Sequence, residues 1–218
     1  MGVAIVYQQY QEVKEKYPGL HLRCNESGCL WITGDFHFVA DHHGEVIEDT
    51  YVVKILIPED YPQTIPEAQE TGNRIPKDFH HYIDDTLCLG ARYALRKAFR
   101  DAPTLLGFME NCLLPYLYSF SYKTRYGKLP AGELSHGWRG VLEYYQDLFQ
   151  IRDEKAVLGL FAVLVRGNCG GHARCPCGSR KRIRDCHGNM LRNMLQVQPA
   201  STFEREYEIL LTGIGTVK

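Results

Sequence analysis

The sequence predicts an α+β fold followed by a small metal-binding module, and four observations support this. The first residues place apolar side chains at helical spacing, and the next stretch reads as strands joined by polar turns. Most of the remaining chain reads as helices, and a cysteine-rich motif with zinc-site spacing lies near the carboxyl end. A chain of 218 residues can form one sizeable core and a smaller appendage.

The composition excludes several classes of protein. Hydrophobic residues make up 44% and charged residues 23%, as in ordinary globular proteins, and the formal net charge is -1. No apolar run approaches the roughly 20 residues that span a bilayer, and the amino terminus lacks the basic segment of a signal peptide. The eight cysteines are clustered rather than spread as a disulfide framework. We therefore expect a cytoplasmic protein with reduced thiols, no membrane segment and no specific nucleic-acid partner.

The amino-terminal part predicts one helix and then strands. Val6, Tyr10, Val13 and Tyr17 have near-helical spacing, and Pro18-Gly19 ends the predicted helix, which begins at Val3. The predicted strands are Leu20 to Cys24, Cys29 to Ala40 and Val46 to Pro58.

The later part predicts mainly helices. The expected helices cover 91–100, 105–120, 134–149, 154–165 and 201–211, the last starting with the capping-box pattern Ser201 to Glu204. The Gly- and Pro-rich stretch 122–137 is a candidate domain boundary. Within it, Glu133 and His136 could serve acid–base chemistry if the fold brings them to Cys88.

The stretch Asp78 to Gly90 puts a cysteine where chemistry is possible. Cys88 follows a polar run that holds His80, His81, Asp84 and Asp85. A thiol on a loop beside imidazoles can form the nucleophilic thiolate. The alternative is a buried structural cysteine, since free cysteine is among the most buried residue types.

Read with what precedes it, this stretch resembles the core of a ubiquitin-conjugating enzyme, over about residues 3–120. That family has a helix, a four-stranded antiparallel meander, a tyrosine-proline turn, a long loop, the cysteine and then a helix. Here Thr50 to Pro62 resembles the third strand and its turn, Pro66 to Glu70 the fourth strand, and Ala102 to Leu117 the helix after the site. The resemblance implies a UBC-like catalytic domain at 1–125.

The resemblance implies that Cys88 carries a ubiquitin-like protein as a thioester, received from an activating enzyme and passed to an amine of a target protein. His80 or His81 would activate the thiol, and Asp84 and Asp85 would orient the amine. Bacterial relatives of the fold occur in anti-phage defence systems, which implies a cyclic-nucleotide synthase as one candidate target.

The family's His-Pro-Asn triplet is missing, with Tyr82 and Ile83 where its proline and asparagine are expected. The alternative function is therefore an inactive scaffold that binds protein partners through the same fold and the zinc module. A third class, a cysteine hydrolase, needs a positioned base, and no recognised signature supports one.

The motif CPCGSRKRIRDCHG provides four candidate metal ligands, Cys175, Cys177, Cys186 and His187. It is similar to the zinc motif called SEC-C. Three thiolates and one imidazole complete a tetrahedral zinc site and leave no position for water, so we expect structural Zn²⁺. Cys169 and His172 are reserve ligands. The expected segments after the first domain are a helical extension packed on its core at 126–168, a knuckle at 169–190 and a final helix at 191–218.

Overall fold

The computed structural model describes residues 2–42, 44–130, 135 and 137–215. The chain divides into two compact units, residues 1–132 and 133–218. The first contains the sheet and the second the Cys/His motif, which confirms the expected α+β class. In the described part of the chain, no helix is both long enough and apolar enough to cross a bilayer.

The first unit begins with one helix and a four-stranded sheet. Helix α1 covers Gly2–Lys16, and the strands are β1 (Leu20–Cys24), β2 (Leu30–His42), β3 (Glu45–Ile57) and β4 (Glu67–Glu70). The strands pair antiparallel in the order β1-β2-β3-β4, so the sheet is a simple meander. A cis peptide bond joins Tyr61 to Pro62 in the turn before β4.

Alternate residues of β2 and β3 build the core of the first unit. Leu30, Ile32, Phe36 and Phe38 of β2 are buried on one face. Gly34 interrupts this apolar series because β1 passes too close for a side chain. A Cβ atom there would lie 2.1 Å from the carbonyl oxygen of Gly19, and the backbone φ is 135°.

A helical layer completes the first unit. It consists of α2 (Arg92–Asp101), α3 (Leu105–Phe108), a π-helical segment (Met109–Leu113) and α4 (Leu114–Tyr126). The sequence predicts one regular helix over 105–120, and the interruption is explained by Pro115. This residue has no N–H to donate, and the widened turn just before it accommodates its ring. The helix continues past Phe120 to Tyr126, and Gly127, with a φ of 71°, ends it.

The second unit contains α5 (Trp138–Phe149), α6 (Glu154–Arg166), a 3₁₀ turn (Ile183–Asp185), α7 (Gly188–Val197) and α8 (Ala200–Gly215). Helices α5, α6 and α8 pack against one another. Phe161 of α6 contacts both of the other helices. The centroid of its ring lies 4.5 Å from the ring centroid of Tyr145 on α5 and 6.3 Å from that of Phe203 on α8.

Two local predictions about the second unit differ from the structure. The single final helix expected at 191–218 is instead two helices, α7 and α8, which are separated at Gln198 and Pro199 because proline has no N–H to continue α7. Helix α8 starts at Ala200, so Ser201 lies inside its first turn rather than at the cap position. The helices expected in the segments 126–168 and 191–218 share one core within this unit.

Candidate functional sites

Cys88 lies at the end of a short hairpin-like loop between β4 and α2. The Tyr82 amide donates to the Thr86 carbonyl (2.9 Å), and the Cys88 amide donates to the His80 carbonyl (2.7 Å). His81 and Leu87 form an antiparallel bridge between these two bonds. The loop therefore has a defined register that places Tyr82 and Cys88 on its two arms.

Backbone and side-chain hydrogen bonds attach this loop to the first unit. The Leu87 amide donates to the Ala68 carbonyl of β4 (2.7 Å), which extends the edge of the sheet. On the other side, the Tyr116 hydroxyl of α4 donates to the Phe79 carbonyl (2.9 Å). Phe79 is buried and packs on Tyr116 and Phe120. The cysteine is thus held by a packed scaffold rather than by a free loop.

The segment leading into the loop is anchored to β3 by a charged network. Arg74 donates to both carboxylate oxygens of Asp49 (2.8 and 3.2 Å) and lies over the Tyr51 ring at 4.2 Å from its centroid. Ser121 on α4 donates to the same carboxylate (2.8 Å). Burial opposes ionisation of Asp49, but these bonds and one from the Thr50 amide outweigh it and lower its pKa to about 2.

The sulfur of Cys88 is partly exposed, and its hydrogen-bond partner is the hydroxyl of Tyr82. The two atoms, Sγ and Oη, are 3.4 Å apart. The pKa of Tyr82 is raised to about 12, first by partial burial and then by the Cys88 thiol, so the phenol keeps its proton at neutral pH. The sequence places Tyr82 only where the resemblance expects proline, which does not predict a contact with the thiol. Finding this contact requires the register of the loop, which the local pattern does not reveal.

The other predicted residues of this site have partners within the loop or just before it. The Nδ1 atom of His81 lies 2.9 Å from the Phe79 carbonyl oxygen, and the ring of His80 packs edge-on against Phe79. Asp84 accepts from the hydroxyl (2.6 Å) and amide (3.1 Å) of Thr86, and these bonds lower its pKa.

Asp85, at the turn, pairs with Lys77 across 2.7 Å and has a φ of 63°. Both aspartates are exposed, and they lie four and three residues before Cys88 in the sequence. Glu133 and His136 lie outside the described residues.

The four predicted metal ligands come together in the second unit. The ligand atoms of Cys175, Cys177, Cys186 and His187 all lie within 4.8 Å of one another. The Nδ1 atom of His187 is 3.3 Å from the Cys175 sulfur and 3.2 Å from the Cys186 sulfur, and the sulfurs of Cys177 and Cys186 are 3.5 Å apart. Zinc–sulfur bonds of about 2.3 Å in a tetrahedron separate thiolates by about 3.8 Å, so the cluster is of the right size for a metal ion.

The knuckle backbone explains why these ligands meet. The Cys175 amide donates to the Lys181 carbonyl (2.8 Å), and Arg174 and Arg182 form an antiparallel bridge. This turn returns the chain so that Cys186 and His187, just after the 3₁₀ turn, face the first two cysteines. Gly159 of α6 allows the knuckle to approach, because a Cβ atom there would lie 2.6 Å from the Pro176 side chain.

The imidazole of His187 is oriented by a backbone carbonyl on the side of the ring away from the thiols. Its Nε2 atom lies 3.2 Å from the Phe149 carbonyl oxygen at the end of α5. A carbonyl can only accept, so Nε2 carries the proton and Nδ1 presents a lone pair toward the thiols. Metal-ligating histidines usually have such a partner on the second ring nitrogen.

The cysteine thiols of the cluster differ in acidity. Burial raises the pKa of Cys175 to about 11. Burial also opposes ionisation of Cys177, but hydrogen bonds from Ser179, Cys175 and Cys186 outweigh it and lower the pKa of Cys177 to about 6. The reserve ligands Cys169 and His172 are not part of this group among the described residues.

A scan against protein-family models found no match, and a search of the curated proteins found no significant match.

Proposed function

We propose that the chain is a ubiquitin-conjugating-like enzyme that carries a ubiquitin-like protein as a thioester on Cys88. The observation that carries the proposal is the partly exposed Cys88 sulfur with a hydroxyl 3.4 Å away, on a loop bonded to both the sheet edge and α4. The order of helix, four-stranded meander, loop and helices also supports it. A thiolate held at the surface of a packed scaffold can be reached by the carboxyl terminus of another protein.

The proposed reaction has two acyl transfers. The Cys88 thiolate attacks the carbonyl carbon of a thioester held on the activating enzyme, a new C–S bond forms, and the activating enzyme's thiolate leaves. An amine of the target then attacks the same carbon, the amide forms, and Cys88 leaves as a thiolate while the amine's proton passes to solvent. Because a thioester is already activated, the enzyme mainly positions the reactants. Asp84 and Asp85 are the exposed carboxylates closest in sequence for orienting the amine.

The test uses purified chain, ATP and candidate pairs of activating enzyme and ubiquitin-like protein. We expect an adduct that a reducing agent cleaves, a reductant-stable ester with Cys88→Ser, and no adduct with Cys88→Ala. Cys24→Ala, which removes another exposed thiol from the same unit, is the matched control and should still form the adduct. An adduct on Cys88→Ala would exclude the proposed carrier role.

A second candidate function is a protein-binding scaffold with the same fold. It is favoured by the partners of the two aspartates, since Asp84 is bonded to Thr86 and Asp85 to Lys77. It is also favoured by Ile83, a fully exposed side chain without a hydrogen-bonding group at the place where the family has asparagine. Under this alternative, Cys88→Ala would retain partner binding and all cellular activity.

We also propose that the Cys/His cluster holds Zn²⁺ with a structural role. Three thiolates and one imidazole are the ligand set of closed tetrahedral zinc sites. The orientation of His187 by the Phe149 carbonyl supports metal binding through Nδ1. The ion would link the knuckle to the end of α5 through this histidine.

A further inference from the structure

The neighbour of the Cys88 sulfur is a phenol, and this has a chemical consequence. A neutral thiol donates its S–H to the Tyr82 oxygen, but a thiolate has no proton and can only accept. When Cys88 ionises, the Tyr82 O–H can therefore turn toward the sulfur and donate to it. Hydrogen bonds to charged acceptors are stronger than those between neutral groups.

The backbone that carries the phenol is held by hydrogen bonds within the loop. Tyr82 is bonded through its amide to Thr86, and its carbonyl accepts from the Asp85 amide (3.1 Å). Tyr82 remains a donor at physiological pH because its pKa is raised to about 12. Besides Cys88, the charged groups that act on it are Arg92 and Glu67, and their effects on its pKa oppose each other.

We propose that Tyr82 is a catalytic residue, which donates a hydrogen bond to the Cys88 thiolate and to the oxyanion that forms when Cys88 is acylated or deacylated. In the tetrahedral intermediate, the oxyanion is bonded to the carbon that is bonded to the Cys88 sulfur. A donor that stands beside the sulfur needs only a small rotation to come within about 3 Å of that oxygen. The neighbouring Ile83 side chain cannot donate. The oxyanion part of this inference rests on the proposed function, whereas the thiolate part rests on the contact alone.

The first experiment measures alkylation of Cys88 by iodoacetamide, quantified by peptide mass spectrometry so that the other thiols do not interfere. Tyr82→Phe removes only the hydroxyl. We expect the alkylation rate of Cys88 at pH 7 to be roughly two- to fivefold lower in Tyr82→Phe than in the wild type, which is within the range expected for one hydrogen bond. The difference in rate should shrink at higher pH, where Cys88 is ionised in both proteins.

Tyr126→Phe is the matched control, because Tyr126 is 41% exposed against 43% for Tyr82 and donates to Glu45 instead. Its rate should equal that of the wild type. Equal melting temperatures of the three proteins would show that Tyr82→Phe is folded. An unchanged alkylation rate in folded Tyr82→Phe overturns the inference.

The second experiment follows thioester formation and its discharge to an amine. We expect Tyr82→Phe to slow both steps at least tenfold relative to Tyr126→Phe, as removal of an oxyanion donor does. If the thioester forms and both variants react at the wild-type rate, the oxyanion role is excluded. If alkylation slows in Tyr82→Phe but no ubiquitin-like protein is accepted, the donation to the thiolate stands and the proposed function fails.

Discussion

Replacing Asp49 by asparagine is expected to destabilise the first unit by about 2 kcal/mol at neutral pH. The pKa of this carboxyl falls from 3.8 to about 2 on folding, a change of about 1.8 units. At about 1.36 kcal/mol per unit, this corresponds to about 2.4 kcal/mol. The expected stabilisation is smaller, about 2 kcal/mol, because the Arg74 side chain is 46% exposed and water screens its charge.

The sign of the pH dependence follows from the direction of the shift. The folded state binds the proton of Asp49 less tightly than the unfolded state, so ionisation favours folding. The stabilisation is present above the unfolded-state pKa of 3.8 and is lost as the pH falls through about 2. We therefore expect the difference between wild type and Asp49→Asn to be about 2 kcal/mol at pH 7, roughly half of that at about pH 3, and small at about pH 2.

The assay is urea unfolding between pH 2 and 7, followed by tryptophan fluorescence. The chain has two tryptophans, so a Trp138→Phe background leaves Trp31 on β2 as the reporter of the first unit. Asp35→Asn is the control, because Asp35 lies at an exposed position of β2 in the same unit. We expect this change to lower the free energy of unfolding only slightly. The reasoning would be refuted by a difference that persists unchanged to pH 2, or by equal stabilities of the two variants.

Two further predictions concern the cysteines. Cys186→Ser should reduce bound zinc, measured by elemental analysis, from about one equivalent per chain to nearly none. Cys169→Ser changes a cysteine outside the cluster and should retain the metal. Full metal content in Cys186→Ser would contradict the ligand assignment. Cys88 should be alkylated in the folded protein at least tenfold faster than Cys112. Cys112 is only 2% exposed, and burial raises the pKa of its thiol to about 11. Equal labelling of the two cysteines would show that the core around Cys112 opens as readily as the Cys88 loop.

The helices and strands of this chain were largely predictable because their side-chain patterns are local. Alternation along β2 and helical spacing along α1 identified both elements to within a few residues. The regular helix expected over 105–120 was wrong in its middle, since the pattern does not show how the chain accommodates Pro115. The single helix expected over 191–218 was wrong in its continuity, since Pro199 separates α7 from α8, and the start of α7 at Gly188, directly after the metal ligand His187, was not predicted.

The metal ligands were predictable from the sequence for the same reason. They lie within 13 residues, and the turn closed by the bond from the Cys175 amide to the Lys181 carbonyl brings them together. The partners of these ligands were not predictable. The carbonyl that orients His187 belongs to Phe149, 38 residues away, and its position depends on how α5 packs in the second unit.

The sequence by itself determined the α+β class, most element positions and the four metal ligands, because these follow from periodicity and close spacing. Only the tertiary structure decided that the Tyr82 hydroxyl meets the Cys88 sulfur and that Arg74 pairs with Asp49, 25 residues apart. Such contacts depend on the register of paired backbones and on the side chains that pack behind them. Local residue patterns do not encode that register, so a chemically important neighbour of Cys88 is visible only in the folded chain.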